Sequence, residues 1–225
     1  MPRIVLVVLT VIAAGCAGTA QPATAPSISP SPTASPTATT SHAIVSGDVL
    51  QVRAAAGSTV TVRVREQLAR VPAPSDAVLV TKGVKGDLLL HPDGSFASGS
   101  QIVVDLTVLQ SDQSLRDDFV KRTTLQTNRY PSATFTPKKI TGLPAPLLAA
   151  SGEWKTTLVG DLQIKSVTKE ISWDATVTRA AGAVTATATT SFKFEDFGMQ
   201  PPTAASVLSV VDLIKLQVDF IGSVG

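Results

Sequence analysis

Side chains able to do chemistry are few in this chain of 225 residues, and where they stand matters more than how many there are. There are two histidines, His42 and His91, and a single cysteine, Cys16. His42 lies in a Ser/Thr/Pro-rich stretch and His91 opens the turn sequence His91-Pro92-Asp93-Gly94. Neither stands on a scaffold beside a nucleophile, as a Ser-His-Asp arrangement requires. Zinc and most transition metals want His or Cys clusters at fixed spacing, and the sequence has none. It also lacks the glycine-rich patterns that cradle nucleotide phosphates. Asp112, Asp117 and Asp118 are the remaining cluster. Two carboxylates cleave a glycoside only when they flank the sugar. Adjacent Asp117 and Asp118 point to different sides, and acids near a helix start serve the helix dipole and its free N–H groups. The expectation is no catalytic residue, no metal and no cofactor: a protein that is not an enzyme. Lys and Arg number 19 against 17 acids, a net charge of +2 with no basic cluster, which leaves nucleic acid without a footprint.

Cys16 points elsewhere. It follows a basic start (Met1-Pro2-Arg3), an apolar run from Ile4 to Ala14 and the small residues Ala13-Ala14-Gly15. The apolar run is too short to span a bilayer, and the order of the parts is that of an export signal over residues 1–15. Its end resembles a bacterial lipobox, with Ala13 where leucine is common, which implies that Cys16 becomes the lipidated first residue of an exported protein. A lone cysteine can form no disulfide within the chain. Lasting attachment takes two acyl chains or more. Residues 16–43 are Ser, Thr, Pro and Ala without charge, a composition that cannot offset ordering entropy and reads as a tether from the extracytoplasmic face of the membrane.

From residue 44 to 225 the composition shifts to short Val/Thr/Ile/Leu runs broken by Gly, Pro and Asp. Val60, Val62 and Val64 alternate with polar residues, and Ile102, Val104, Leu106 and Val108 recur at the same spacing, as half-buried strands do. Leu115 and Phe119 stand at helical spacing and predict a short helix over 112–122, with Ser111 or Asp112 as N-cap. Further strands are expected over 88–90, 133–140, 156–164, 169–177, 184–194 and 213–221. The sum is all-β, eight or nine antiparallel strands with one helix. Periodicity leaves sandwich and closed barrel open.

Three stretches carry a resemblance. The first runs from Arg116-Asp117 through Tyr130-Pro131 to Phe135; the second is GDLQIKSVTK from Gly160-Asp161 to Lys169; the third is Glu195-Asp196-Phe197-Gly198. In this order they resemble the YceI-like family, with Phe119 where many members have His, Ser166 for Gly and Glu195 at a Ser position. The resemblance implies an eight-stranded antiparallel lipocalin-like barrel that holds a polyisoprenoid or other long-chain lipid. An interaction module of the cell envelope, its barrel filled and lipid-free, is the alternative. Homodimerisation or an envelope protein partner stays open. Alternation and strand context name the inward, lipid-facing side chains: Val62, Val64, Val104, Leu106, Phe135, Leu162, Ile164, Ile171, Trp173, Phe192, Leu216 and Val218. The motif residues read mainly as structural. Arg116 is expected to pair with Asp117 or Asp161, Pro131 to end the helix, and Gly160 and Gly198 to serve turns or bulges.

Overall fold

Alternating β-branched and polar residues build the wall of the molecule. The computed structural model describes residues 49–144, 151–180, 182–203 and 205–225. The expected signal peptide, Cys16, the tether with His42 and the loop through Ala145-Pro146 lie outside them. Ten strand segments are formed: β1 (Leu50–Ala54), β2 (Thr59–Leu68), β3 (Ser75–Thr81), β4 (Val84–Leu90), β5 (Gln101–Asp105), β6 (Ser132–Thr141), β7 (Gly152–Ile164), β8 (Val167–Ala180), β9 (Ala183–Phe192) and β10 (Val207–Val224).

These ten segments make eight strands of a closed antiparallel barrel. The order is β1-β4-β5-β6-β7-β8-β9-β10-β2-β3, and β10 also pairs with β1. Because β10 pairs with β2 through Ile214–Asp219 and with β1 through Gly222–Val224, β1 and β2 are one strand interrupted at Ala55–Ser58. Ser58 seals that interruption: its hydroxyl accepts from the Ile221 amide and bonds to the Ala55 carbonyl. In the same way β3, beside β2, and β4, beside β1, are one strand interrupted at Lys82-Gly83. The inward set changes there from odd numbers (Ala77, Leu79, Thr81) to even ones (Val84, Leu88, Leu90), as one extra residue in a strand demands. Closure leaves no sheet edge along most of the wall. The eight-stranded barrel with one short helix is the architecture that the motifs implied.

That helix differs in detail from its sequence reading. α1 spans Ser114–Phe119 and continues as a π-helical turn over Val120–Leu125. Its N-cap is Gln113, without a side-chain cap. Ser111 instead accepts from the Gln113 amide, and Asp117 accepts from the amide and hydroxyl of Ser111. Nor does Pro131 end the helix. The turn stops at Leu125 because Gln126 is left-handed, with φ of 55°, and Pro131 leads into β6. Asp87 and Lys85 belong to β4 rather than flanking it, and Val108 lies past the end of β5 on the surface.

Candidate functional site: an apolar cavity

Inward side chains of β-strands stand perpendicular to the wall, so small ones leave space in an eight-stranded barrel. Here the inward positions are mostly Val, Leu, Ile and Ala, and they enclose a cavity of about 600 Å³. That is within the range of ligand pockets, roughly 300–1,000 Å³. Val62, Val104, Phe135, Leu158, Leu216 and Val218 point inward yet are only half-buried, because they face this space. Two apolar clusters flank them. One gathers Phe192, Phe194, Phe197 and Met199 near the helix, and the other Leu50, Leu90, Ile140 and Phe220 at the opposite end.

Of the twelve side chains named from alternation, eleven border the cavity. The exception is Ile171, which packs against the core cluster instead. Its register partner is Gly160, and the space above Gly160 is taken by the Phe135 ring: a Cβ there would stand 2.6 Å from Phe135 Cζ and 2.5 Å from the Thr136 carbonyl oxygen. Gly160 therefore serves a close approach and not a turn. It pairs with Pro137 where β6 bulges toward Lys139. Phe135 in turn meets Trp173 edge to face at 5.8 Å. The Trp173 Nε1–H is buried without a hydrogen-bond partner among the described residues.

The helix-bearing end is polar at one point. Arg116 Nη2 donates to Glu66 Oε1 at 2.7 Å, with side-chain exposures of 14% and 8%. Arg116 also pairs with Asp112 on its own turn. The expected partners Asp117 and Asp161 are excluded: Asp117 serves Ser111, and Asp161 pairs with Lys138 at 2.6 Å on the outer face. Glu66 and Arg116 both line the cavity, with Phe119, Val120, Thr124 and Leu125 of the helical segment beside them. Glu66 was missed in the sequence reading, although the alternation of Val60, Val62 and Val64 continues to it.

The other motif residues support this end. Lys169 bridges to Asp196 at 2.6 Å and so ties the second stretch to the third. That hydrogen bond, with one from the Lys193 amide, holds the Asp196 carboxyl below the usual carboxylate range. Phe197 is fully buried and meets Phe192 at 4.7 Å, and Gly198 ends the 3₁₀ turn Phe194–Phe197 with φ of 62°. Asp105, at the exit of β5, accepts from the hydroxyl and amide of Thr107, which lowers its carboxyl likewise. Tyr130 lies under the Arg129 guanidinium at 5.2 Å, and the Pro131 carbonyl accepts from Leu106.

Comparison with known proteins adds to this geometry. The profile of the YceI-like domain matches residues 45–221. No curated protein matches the sequence. Among solved structures, a polyisoprenoid binding domain from Saccharophagus degradans, described as implicated in plant cell wall breakdown, superposes with a TM-score of 0.59 at 15% identity over 78% of this chain and 98% of that one. BcnA of Burkholderia cenocepacia gives 0.54 at 19% identity, over 73% and 95%. The YCEI protein of Campylobacter jejuni gives 0.53 at 19% identity, over 71% and 90%.

Proposed function

The chain belongs to the YceI-like family, and on that premise we propose that it is a lipid-binding protein that holds a polyisoprenoid or another long-chain amphiphile in its barrel. The observation that carries this reading is the apolar cavity of about 600 Å³. Burial alone supplies affinity there, at roughly 0.8 kcal/mol per CH₂ taken from water, so a long tail needs no specific polar contact. The naming of the Saccharophagus degradans domain for polyisoprenoid binding supports that choice of tail. The envelope-module alternative requires a filled interior, and the cavity speaks against it. The protein acts by binding and release, without catalysis. Cys16, once lipidated, tethers it to the extracytoplasmic face of the membrane through the 16–43 segment.

Native mass spectrometry of the purified full chain tests this reading. A reproducible added mass that organic extraction removes, and that fragments as an isoprenoid or acyl chain, is the expected result. A barrel that stays empty after incubation with such lipids sinks it.

A further inference from the structure

Among the described residues lining the cavity, three are themselves exposed: Gln113, Leu115 and Ser206. All three lie at one end of the barrel, between the start of α1 and the segment that enters β10. The mouth of the cavity is therefore there. At the opposite end the lining side chains among the described residues, Phe96, Leu143 and Trp154 included, are half-buried.

The same end carries most of the large apolar side chains that water reaches. Leu115 is 83% exposed, Leu208 67% and Val211 49%. Val71, in the β2–β3 hairpin, bonds through its amide to the Leu68 carbonyl and is exposed too. Leu68 pairs with Val207, the neighbour of Leu208, and Glu66 pairs with Val210, the neighbour of Val211. The Arg116–Glu66 ion pair holds α1, and with it Leu115, at this same end. These residues thus ring the mouth. Single exposed leucines need no explanation, but a cluster continuous with an apolar cavity marks a contact surface.

Charge narrows the partner. Residues 68–74, 198–203 and 205–211 form one lip of the mouth among the described residues and contain a single charged residue, Arg70, and no carboxylate. The acids on the facing lip are each engaged, Asp112 with Arg116, Asp117 with Ser111 and Asp118 with Arg122. An apolar lip with a lone cation and no carboxylate, facing acids that are already hydrogen-bonded or ion-paired, fits the headgroup–acyl boundary of an anionic bilayer, where apolar side chains insert and cations pair with lipid phosphate. Resting on the lipid-binding reading above, we propose that this end docks on a lipid bilayer and that tails enter and leave the barrel between Leu115 and Ser206 without crossing water.

The test uses the full chain carrying Cys16→Ser, which removes acylation and the only native thiol. A polarity-sensitive fluorophore is placed at Leu208→Cys or, as control, at Ala183→Cys at the start of β9, at the other end. With vesicles of equal parts phosphatidylcholine and phosphatidylglycerol, the label at 208 shifts to the blue and the label at 183 does not. No shift at 208, or equal shifts at both, overturns the docking. In a second arm, the triple change Val71→Ser, Leu208→Ser and Val211→Ser, none of which lines the cavity, slows uptake of a pyrene-tailed lipid from vesicles about tenfold or more, while uptake from detergent solution is unchanged. Equal rates in the vesicle arm, or equal losses in both arms, also overturn it. Absence of uptake from detergent by the parent chain refutes the lipid-cavity reading instead, and the label arm still decides the docking.

Discussion

Arg116 of α1 and Glu66 of β2, fifty residues apart, meet at 2.7 Å inside the helix-bearing end of the barrel. The pair joins α1 to strand β2 of the wall. Its two ions are largely withdrawn from water, so each depends on the other. Breaking such a pair leaves an uncompensated charge, whereas replacing both partners together need cost little. Arg116→Ala is expected to lower stability by about 3 kcal/mol, and Arg116→Met with Glu66→Gln to recover most of that loss. Urea unfolding of the two single variants and the double one measures the coupling. Independent, additive losses would mean that the pair does not fasten the helix.

Gly160 lies where a Cβ would strike the Phe135 ring and the Thr136 carbonyl. Backbone cannot yield there as a flexible side-chain tip would. Gly160→Ala should therefore push Phe135 into the cavity and cost about 1–3 kcal/mol as overpacking. Thermal unfolding reads the stability. A lowered lipid capacity in the surviving folded fraction reads the displaced ring.

Ala186 faces the cavity from β9, paired with Val177 on one side and Phe220 on the other. Ala186→Phe extends a ring into empty space, so it adds apolar contact without removing any. Lipid affinity should fall at least tenfold, about 1.4 kcal/mol, with the melting temperature unchanged or higher. Titration with a fluorescent long-chain lipid, alongside calorimetry, checks both. Undiminished affinity would place the ligand outside the barrel.

Cys16→Ser tests the tether independently of the barrel. Since stable anchoring needs lipid chains on the mature N-terminus, the variant should move from the membrane to the soluble fraction on fractionation. Retention after a carbonate wash, which strips peripheral docking through the barrel mouth, would refute acylation at Cys16 as the anchor.

Alternation made much of the wall legible. Val60, Val62 and Val64 announce β2, and the same parity leads to Glu66. Local signals cannot say which distant side chain meets an inward acid. The sequence therefore matches Arg116 to Asp117 or Asp161, while the fold supplies Glu66 from β2. Ile171 shows the matching limit on the apolar side. Its parity is inward, yet the cavity bypasses it, because a ring on β6 fills the space over its glycine partner on β7. Strands β1 and β3 are short and read only weakly alone. The interruptions at Ala55–Ser58 and Lys82-Gly83 are fixed by closure with β10 and β5, relations that no local window contains. The exposed residues Leu115, Leu208 and Val211 share no periodicity, since they come from two distant elements, α1 and the start of β10.

Acid should loosen the connections before it reaches the wall. Asp93 accepts from the hydroxyl and amide of Ser95, Asp105 does the same with Thr107, and Asp196 takes the Lys169 ammonium and the Lys193 amide, so all three carboxyls are held below their ordinary value. A carboxylate depressed in the folded state adds stability above its unfolded value, and that contribution disappears as pH falls through the folded one. Stability should thus be level near neutrality and decline as pH drops below about 4. Lys138 has the opposite sign. Asp161 and then Glu170 raise it, so its contribution is complete below the ordinary lysine value and fades only as pH climbs beyond it. Urea midpoints measured across pH trace both limbs. Asp105→Asn should flatten part of the acid limb, because that position no longer titrates, and leave the alkaline limb unchanged. An acid limb as steep as that of the parent chain would remove Asp105 from the account.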